Sequence, residues 1–170
     1  WTHIPAPNRS AAERSPSHLL DYHRFSSDSW VRYQQQQIDI LRAHCPRHFI
    51  THNLMGFFSD LNYYDLAENL DFISWDNYHY HGATTALVAA GHDLMYGIKR
   101  RPFWVMEQQV GQINWSMVNP LPPPNFVRLK TWQGIAHGAD GMIYFRWRQA
   151  IAGSEQYHSG LLDHAGRKTM

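Results

Sequence analysis

The sequence has little of several features that mark common protein classes. Its 170 residues include a single cysteine, Cys45, so neither an internal disulfide nor a cysteine metal cluster can form. No apolar run approaches the roughly 20 residues needed to span a bilayer. The net charge of +1 gives no attraction for nucleic acid or for an acidic membrane surface. We therefore expect no nucleic-acid or membrane partner, and the lone cysteine is compatible with a cytoplasmic protein.

The motifs of several enzyme classes are also missing. The sequence contains no His-Glu-x-x-His, no Gly-x-Ser-x-Gly and no glycine-rich phosphate loop. The pairs His79/His81 and His48/His52 have spacings that can bind zinc, but no further ligand motif accompanies them, so we expect no metal and no cofactor. The chain does not open on methionine, and we expect its start to lie inside a longer polypeptide.

Aromatic residues, in contrast, are abundant. They make up 14% of the chain, with seven tryptophans and nine tyrosines. Aromatic faces stack on pyranose rings, so this excess points mildly to carbohydrate. An aromatic-rich core explains the same composition equally well.

The chain divides into two parts by composition. Residues 1–16 are rich in proline and serine and are interpreted as a loop or linker, and residues 17–170 as a folded domain. Apolar spacing and capping signals predict helices over 17–45, 63–69, 86–98 and 126–137. Short runs of β-branched and aromatic residues predict strands over 48–53, 71–78, 103–107 and 141–147.

This alternation of helices and strands is typical of a parallel sheet covered by helices. A complete α/β barrel of eight units needs about 250 residues. About four αβ units are present, so we predict an α/β fold that supplies about half of a (β/α)8 TIM barrel. The outer strands of such a half would be open apolar edges, so we expect it to need a missing half, a partner copy or a larger parent chain to stay soluble.

The most informative stretch is Arg101–Gln109, in which a proline and four apolar residues lead to Glu107. The apolar run predicts a strand buried on both faces, and α/β barrels place their chemistry at the carboxyl ends of such strands. A carboxylate there can act as a nucleophile towards a sugar. A solvated glutamate, or one that caps the next helix, is the alternative.

Further polar and aromatic side chains follow the predicted strands. Tyr78 could donate a hydrogen bond to Glu107 and hold it ionised, and Trp115 could form a stacking platform. Glu155 and His158, in a glycine-flanked loop, could bind sugar hydroxyls. Ordinary loop packing and surface exposure are the alternatives for each. Other strand-end candidates are Asn53, Asp76, Arg146 and Trp147.

Several long segments resemble glycoside hydrolase family 42, the bacterial β-galactosidases. Residues 103–108 with 111–115 (FWVMEQ and GQINW) are similar to the family's nucleophile strand. The resemblance continues, in the family's order, through residues 20–28, 51–56, 73–78, 136–141, 144–149 and 153–163. It covers the chain from about Ser17 onwards.

The resemblance implies the carboxyl-terminal half of a TIM-barrel catalytic domain that hydrolyses terminal β-galactosides with retention. It implies Glu107 as the nucleophile and Trp115, Glu155 and His158 as residues of the galactose subsite. Asp76 and Tyr78 would lie at the exit of the sixth barrel strand, beside the nucleophile. The family also implies a homo-oligomer, often a trimer.

One departure from the family pattern concerns the acid/base glutamate, which follows an asparagine. The sequence has no Asn-Glu pair, and the family's cysteine zinc cluster is not matched either. We therefore expect this chain to be inactive alone. A galactoside-binding remnant without chemistry, and a barrel glycosidase with another sugar preference, remain as alternative functions.

Overall fold

The computed structural model describes residues 6–7, 15–78 and 84–169. Within these ranges it has four helices and four strands in strict alternation. The helices are α1 (Pro16–His44), α2 (Tyr63–Ala67), α3 (Thr85–Lys99) and α4 (Phe126–Ala136). The strands are β1 (Asn53–Leu54), β2 (Ser74–Asn77), β3 (Phe103–Gln109) and β4 (Ala139–Phe145). Most of the predicted linker and the pair His79/His81 lie outside the described residues.

The chain forms two compact units. The first consists of the described residues up to Ile50 together with Phe58–Leu70, and it holds α1 and α2. Helix α1 begins with Ser15 as its N-cap and Pro16 in the first turn, the positions these residues favour. It is continuous through Ser26 and Ser27. Inside this unit the backbone N–H of Asn62 donates to Ser27 Oγ over 2.9 Å, which fixes the start of α2.

The second unit holds the sheet with α3 and α4. Its strands are all parallel and lie in the order β1-β2-β3-β4, so sequential strands are neighbours. This arrangement confirms the predicted α/β class. Because every strand runs in the same direction, the carboxyl ends of all four meet at one edge of the sheet, which we call the carboxyl edge.

The core of the second unit explains the apolar start of β3, whose first four residues are Phe-Trp-Val-Met. Phe103 and Val105 of β3 are fully buried, and so is Met95 of α3. Gly91 of α3 lies so close to the Trp75 ring of β2 that a Cβ there would come within 2.9 Å of it. A side chain at position 91 would therefore push the helix away from the sheet.

The predicted first strand over residues 48–53 is wrong in its extent, because the ladder includes only Asn53 and Leu54. Thr51 is held in another way: its hydroxyl donates to the Phe72 carbonyl over 2.9 Å and lies 3.0 Å from the Ser74 hydroxyl. Side-chain hydrogen bonds replace backbone pairing at this point.

Candidate active site

Glu107 lies near the carboxyl end of β3, and the strand is irregular beside it. From Val105 to Gln108 the strand advances three residues, while β4 advances only two, from Met142 to Tyr144. An extra residue in one strand bends it and re-aims the neighbouring side chain. Such irregularities are frequent next to active sites.

The Tyr78 hydroxyl donates a hydrogen bond to Glu107 Oε2 over 2.6 Å. This confirms the hydrogen bond predicted from sequence. Burial raises the pKa of Tyr78, and the hydrogen bond and negative charge of Glu107 raise it further. Tyr78 therefore remains a protonated donor over the ordinary pH range, and it fixes one carboxylate oxygen of Glu107.

Asp76 is a second carboxyl group beside Glu107. The two residues are register partners on β2 and β3. Burial raises the pKa of Asp76 to about 7, the charge of Glu107 adds to the increase, and a hydrogen bond from Asn53 opposes it. Asn53 Nδ2 donates to Asp76 Oδ1 over 3.1 Å. Asp76 is therefore a carboxyl group that exchanges its proton near neutral pH.

Four rings from four different segments surround the same place, and we call them the aromatic box: Tyr78, Trp115, Phe145 and His158. The Tyr78 and Trp115 ring centroids are 4.8 Å apart with their planes nearly perpendicular. The His158 ring lies 5.1 Å from Trp115, 5.2 Å from Phe145 and 5.7 Å from Tyr78. Trp115 is 55% exposed, so one side of the box is open to a ligand.

His158 is completely buried, yet neither of its ring nitrogens has a hydrogen-bond partner among the described residues. Burial lowers the pKa of His158 to about 4, and the positive charge of Arg146 contributes to the decrease. A neutral imidazole offers one N–H donor and one lone pair. A sugar hydroxyl can satisfy either group, since it both donates and accepts.

The loop that carries Trp115 is joined to the loop that carries His158. The backbone N–H of Gln112 donates to Ser159 Oγ over 2.9 Å, and the backbone N–H of Ser159 donates to the backbone carbonyl of Gln112 over 2.9 Å. Gly111 makes the approach possible, because a Cβ there would lie 2.5 Å from Ser159 Cβ. These contacts hold two walls of the aromatic box together.

Glu155 is not in the aromatic box but is linked to it by Arg146, which directly follows β4. The Arg146 guanidinium forms an ion pair with Glu155. The guanidinium carbon also lies 4.4 Å from the centre of the Phe145 ring.

The structure thus groups the site residues predicted from sequence. Asp76, Tyr78, Glu107, Trp115 and His158 lie together at the carboxyl edge, and Glu155 joins them through its ion pair. Trp147, another strand-end candidate, is 68% exposed.

Sequence reasoning named Arg146 as a strand-end candidate without giving it a role, and it did not single out Phe145 or Ser159. Phe145 ends β4, where its position was the available signal, while Ser159 gave no sequence signal at all.

Across residues 6–7, 15–78 and 84–169, no cluster of three or more His, Cys, Asp or Glu side chains is arranged to hold a metal ion. None of the helices described is both long and apolar enough to cross a bilayer.

Sequence comparison identifies relatives over nearly the whole chain. The profile of glycoside hydrolase family 42, described as β-galactosidase, matches residues 1–170. The β-galactosidase BgaA of Thermus sp. is 48% identical over 179 aligned residues, which cover 95% of this chain and 28% of the relative. The β-galactosidase Bga of Halorubrum lacusprofundi is 44% identical and is covered to 25%. The chain thus spans about a quarter of the length of these relatives.

Solved structures give the same result for the fold. The β-galactosidase from the psychrophilic Marinomonas ef1 superposes with a TM-score of 0.88 at 38% identity, over 99% of this chain and 28% of that one. The enzyme from Bacillus circulans sp. alkalophilus gives 0.90 at 36% identity, over 98% and 26%. These neighbours are TIM barrels, so the four αβ units are part of a (β/α)8 barrel. The chain belongs to glycoside hydrolase family 42, the β-galactosidase family, and represents a fragment of its members.

Proposed function

We propose that this chain supplies the nucleophile and the galactose-binding wall of a retaining β-galactosidase. The observation that carries the proposal is the hydrogen bond of 2.6 Å from Tyr78 to Glu107 at the carboxyl edge, next to the aromatic box. A carboxylate held in this way keeps one oxygen free to attack. The neighbouring rings offer a stacking face, and His158 offers polar groups for hydroxyls.

In the proposed reaction the free oxygen of Glu107 attacks the anomeric carbon of a β-galactoside. The bond between this carbon and the leaving oxygen breaks, and a covalent glycosyl-enzyme forms. Water then attacks the same carbon, releases Glu107 and yields galactose with retained configuration. Tyr78 donates to Glu107 in the free enzyme and stabilises the carboxylate again as it leaves.

A second carboxyl group, about 5–5.5 Å from the nucleophile, must protonate the leaving oxygen in the first step and take a proton from the attacking water in the second. General acid help of this kind typically contributes a factor of about 10²–10⁴. The sequence has no Asn-Glu pair to provide it, so we propose that the acid comes from the barrel half that this chain does not contain. The trimer and the cytoplasmic location expected from sequence stay predictions.

A chimera tests the nucleophile. Residues 17–169 replace the matching segment of the Thermus enzyme that is 48% identical, and we call the product the complete-barrel chimera. We expect it to hydrolyse nitrophenyl β-galactoside, Glu107→Gln to abolish turnover, and azide to rescue Glu107→Gly. A 2-deoxy-2-fluoro galactoside with a dinitrophenyl leaving group should label one peptide, the one containing Glu107. A label on another residue, or an active Glu107→Gln chimera, would exclude this nucleophile.

The chain by itself tests the missing acid. We expect no turnover of nitrophenyl β-galactoside by the 170-residue chain. Turnover that disappears in Glu107→Gln would show that the chain needs no acid from elsewhere. Binding of galactose without turnover by the complete-barrel chimera would favour the galactoside-binding remnant instead.

A further inference from the structure

Arg146 is a partly buried cation that no step of the proposed reaction uses. Its side chain is only 23% exposed, although it follows the end of a strand. Its Nε is buried and has no hydrogen-bond partner among the described residues. Even partial burial of a guanidinium is costly unless the group is paired, so the partner of Arg146 matters to the site beside it.

The contacts of Arg146 connect the end of strand β4 to Glu155 and His158, the two polar residues expected to bind the sugar hydroxyls. Its guanidinium pairs with Glu155, and its carbonyl accepts from the Leu161 amide over 2.8 Å. The Glu155 carbonyl in turn accepts from the His158 amide over 3.0 Å. Glu155 and His158 therefore belong to one turn, which is held on both sides by Arg146.

The charges agree with these contacts. Arg146 contributes to the low pKa of His158 and opposes the rise in the pKa of Tyr78. Its positive charge is thus close enough to change the pKa of two residues of the aromatic box, His158 and Tyr78. Its guanidinium also covers Phe145, whose ring lies 5.2 Å from His158 and 6.4 Å from Tyr78.

We propose that Arg146 is a positioning residue of the galactoside site, which orients Glu155 and His158 towards the hydroxyls of a sugar bound beside Glu107. This inference rests on the proposed function. Arg146 need not touch the sugar. It fixes the carboxylate of Glu155 through the ion pair and keeps the turn that carries His158 against the aromatic box.

Kinetics of the complete-barrel chimera provide the first test. We expect Arg146→Gln to raise KM and to lower kcat/KM for nitrophenyl β-galactoside by roughly 10- to 100-fold. Arg146→Lys should recover part of the loss, because an ammonium keeps the charge but not the planar fork. Arg148→Gln is the matched control: Arg148 lies two positions away and donates over 2.9 Å to the His164 carbonyl. It should change kcat/KM by less than about two-fold.

Titration of His158 provides the second test and needs no turnover. It is followed by NMR in the complete-barrel chimera carrying ¹³C-labelled histidine, with the signal assigned by its loss in His158→Leu. The signal should titrate at a higher pH in Arg146→Gln than in the wild type, and it should remain low in Arg146→Lys and in Arg148→Gln.

Kinetics and titration together distinguish a failure of the proposed function from a failure of the positioning role of Arg146. An inactive wild-type chimera would count against the proposed function, while the titration would still decide the role of Arg146. Equal titration of His158 in the wild type and in Arg146→Gln would overturn the positioning role. So would equal losses of kcat/KM in Arg146→Gln and Arg148→Gln.

Discussion

His158 and His92 are chemically alike but lie in different regions of the same unit. Both are completely buried, and both ring nitrogens of each lack a hydrogen-bond partner among the described residues. Burial lowers the pKa of each to about 4. From burial and pKa alone, either residue would be a candidate for a functional site.

Their neighbours differ. His158 lies at the carboxyl edge in the aromatic box, beside a half-exposed tryptophan and near two carboxyl groups. His92 lies on α3, edge-on to Trp75 at 5.0 Å and stacked on Phe103 at 5.7 Å and on His137 at 5.9 Å. It is enclosed between helices and sheet, so we interpret it as a core residue.

An unpartnered buried histidine is therefore not by itself a functional site. What distinguishes His158 is access: Trp115 beside it is 55% exposed, and the loops around it end at the edge where parallel strands converge. A ligand can supply the missing hydrogen bonds there. His92 lies instead among the rings of Trp75, Phe103 and His137, so we interpret its unpaired nitrogens as a cost to stability.

The largest expected effect separates the two residues by activity. In the complete-barrel chimera, His158→Leu should lower kcat/KM by about 10²-fold, because sugar hydroxyls would be left without partners in a buried site. His92→Leu, the matched substitution, should leave kcat/KM nearly unchanged. Assays with nitrophenyl β-galactoside measure both. Equal losses in the two variants would break the comparison and would place His158 in the core as well.

Much of this arrangement could be predicted from the sequence. Glu107 and Tyr78 follow apolar strands, and the convergence of parallel strand ends brings them together, which is why their hydrogen bond was predictable. The ion pair of Arg146 with Glu155 was not, because it joins a strand end to a loop whose path has no periodic signal. The extra residue in β3 beside Glu107 was also invisible, since an irregularity of one residue leaves the apolar pattern unchanged.

The second prediction concerns acid stability, where the two histidines should behave alike. The pKa of His92 in the folded chain, about 4, lies below its ordinary value of 6.5. The unfolded chain therefore binds more protons between these values, and stability is lost as the pH falls from about 6.5 to 4. The positive charges of His137 and Lys130 add to the lowering, and Asp93 opposes it.

His92→Leu should therefore reduce the acid sensitivity of the chain, by at most on the order of 3 kcal/mol between pH 7 and pH 4. Urea unfolding of the complete-barrel chimera at the two pH values measures the change. His158→Leu should change it in the same direction. Unaltered acid sensitivity in His92→Leu would mean that this imidazole is already charged or paired in the folded chain.

The third prediction concerns Asp76 at the carboxyl edge. Burial raises the pKa of this carboxyl group, whereas it lowers the pKa of the two histidines. The pKa of Asp76, about 7, is raised above its ordinary value of 3.8. Its contribution to stability is therefore present at low pH and is lost as the pH rises through about 7. In the complete-barrel chimera, Asp76→Asn should be more stable than the wild type at pH 8, and the two should be equally stable near pH 4. Melting temperatures at the two pH values measure this difference, and equal melting temperatures at pH 8 would contradict the raised pKa.

The smallest effect concerns the contact between the loop that carries Trp115 and the loop that carries His158. Ser159→Ala removes the side-chain acceptor for the Gln112 amide, whereas the backbone bond from the Ser159 amide to Gln112 remains. One net hydrogen bond is worth about 1 kcal/mol, so we expect KM of the complete-barrel chimera to rise about three- to five-fold, with kcat nearly constant. A loss in kcat/KM as large as that of His158→Leu would show that the loop contact, rather than the imidazole, distinguishes the carboxyl edge from the core around His92.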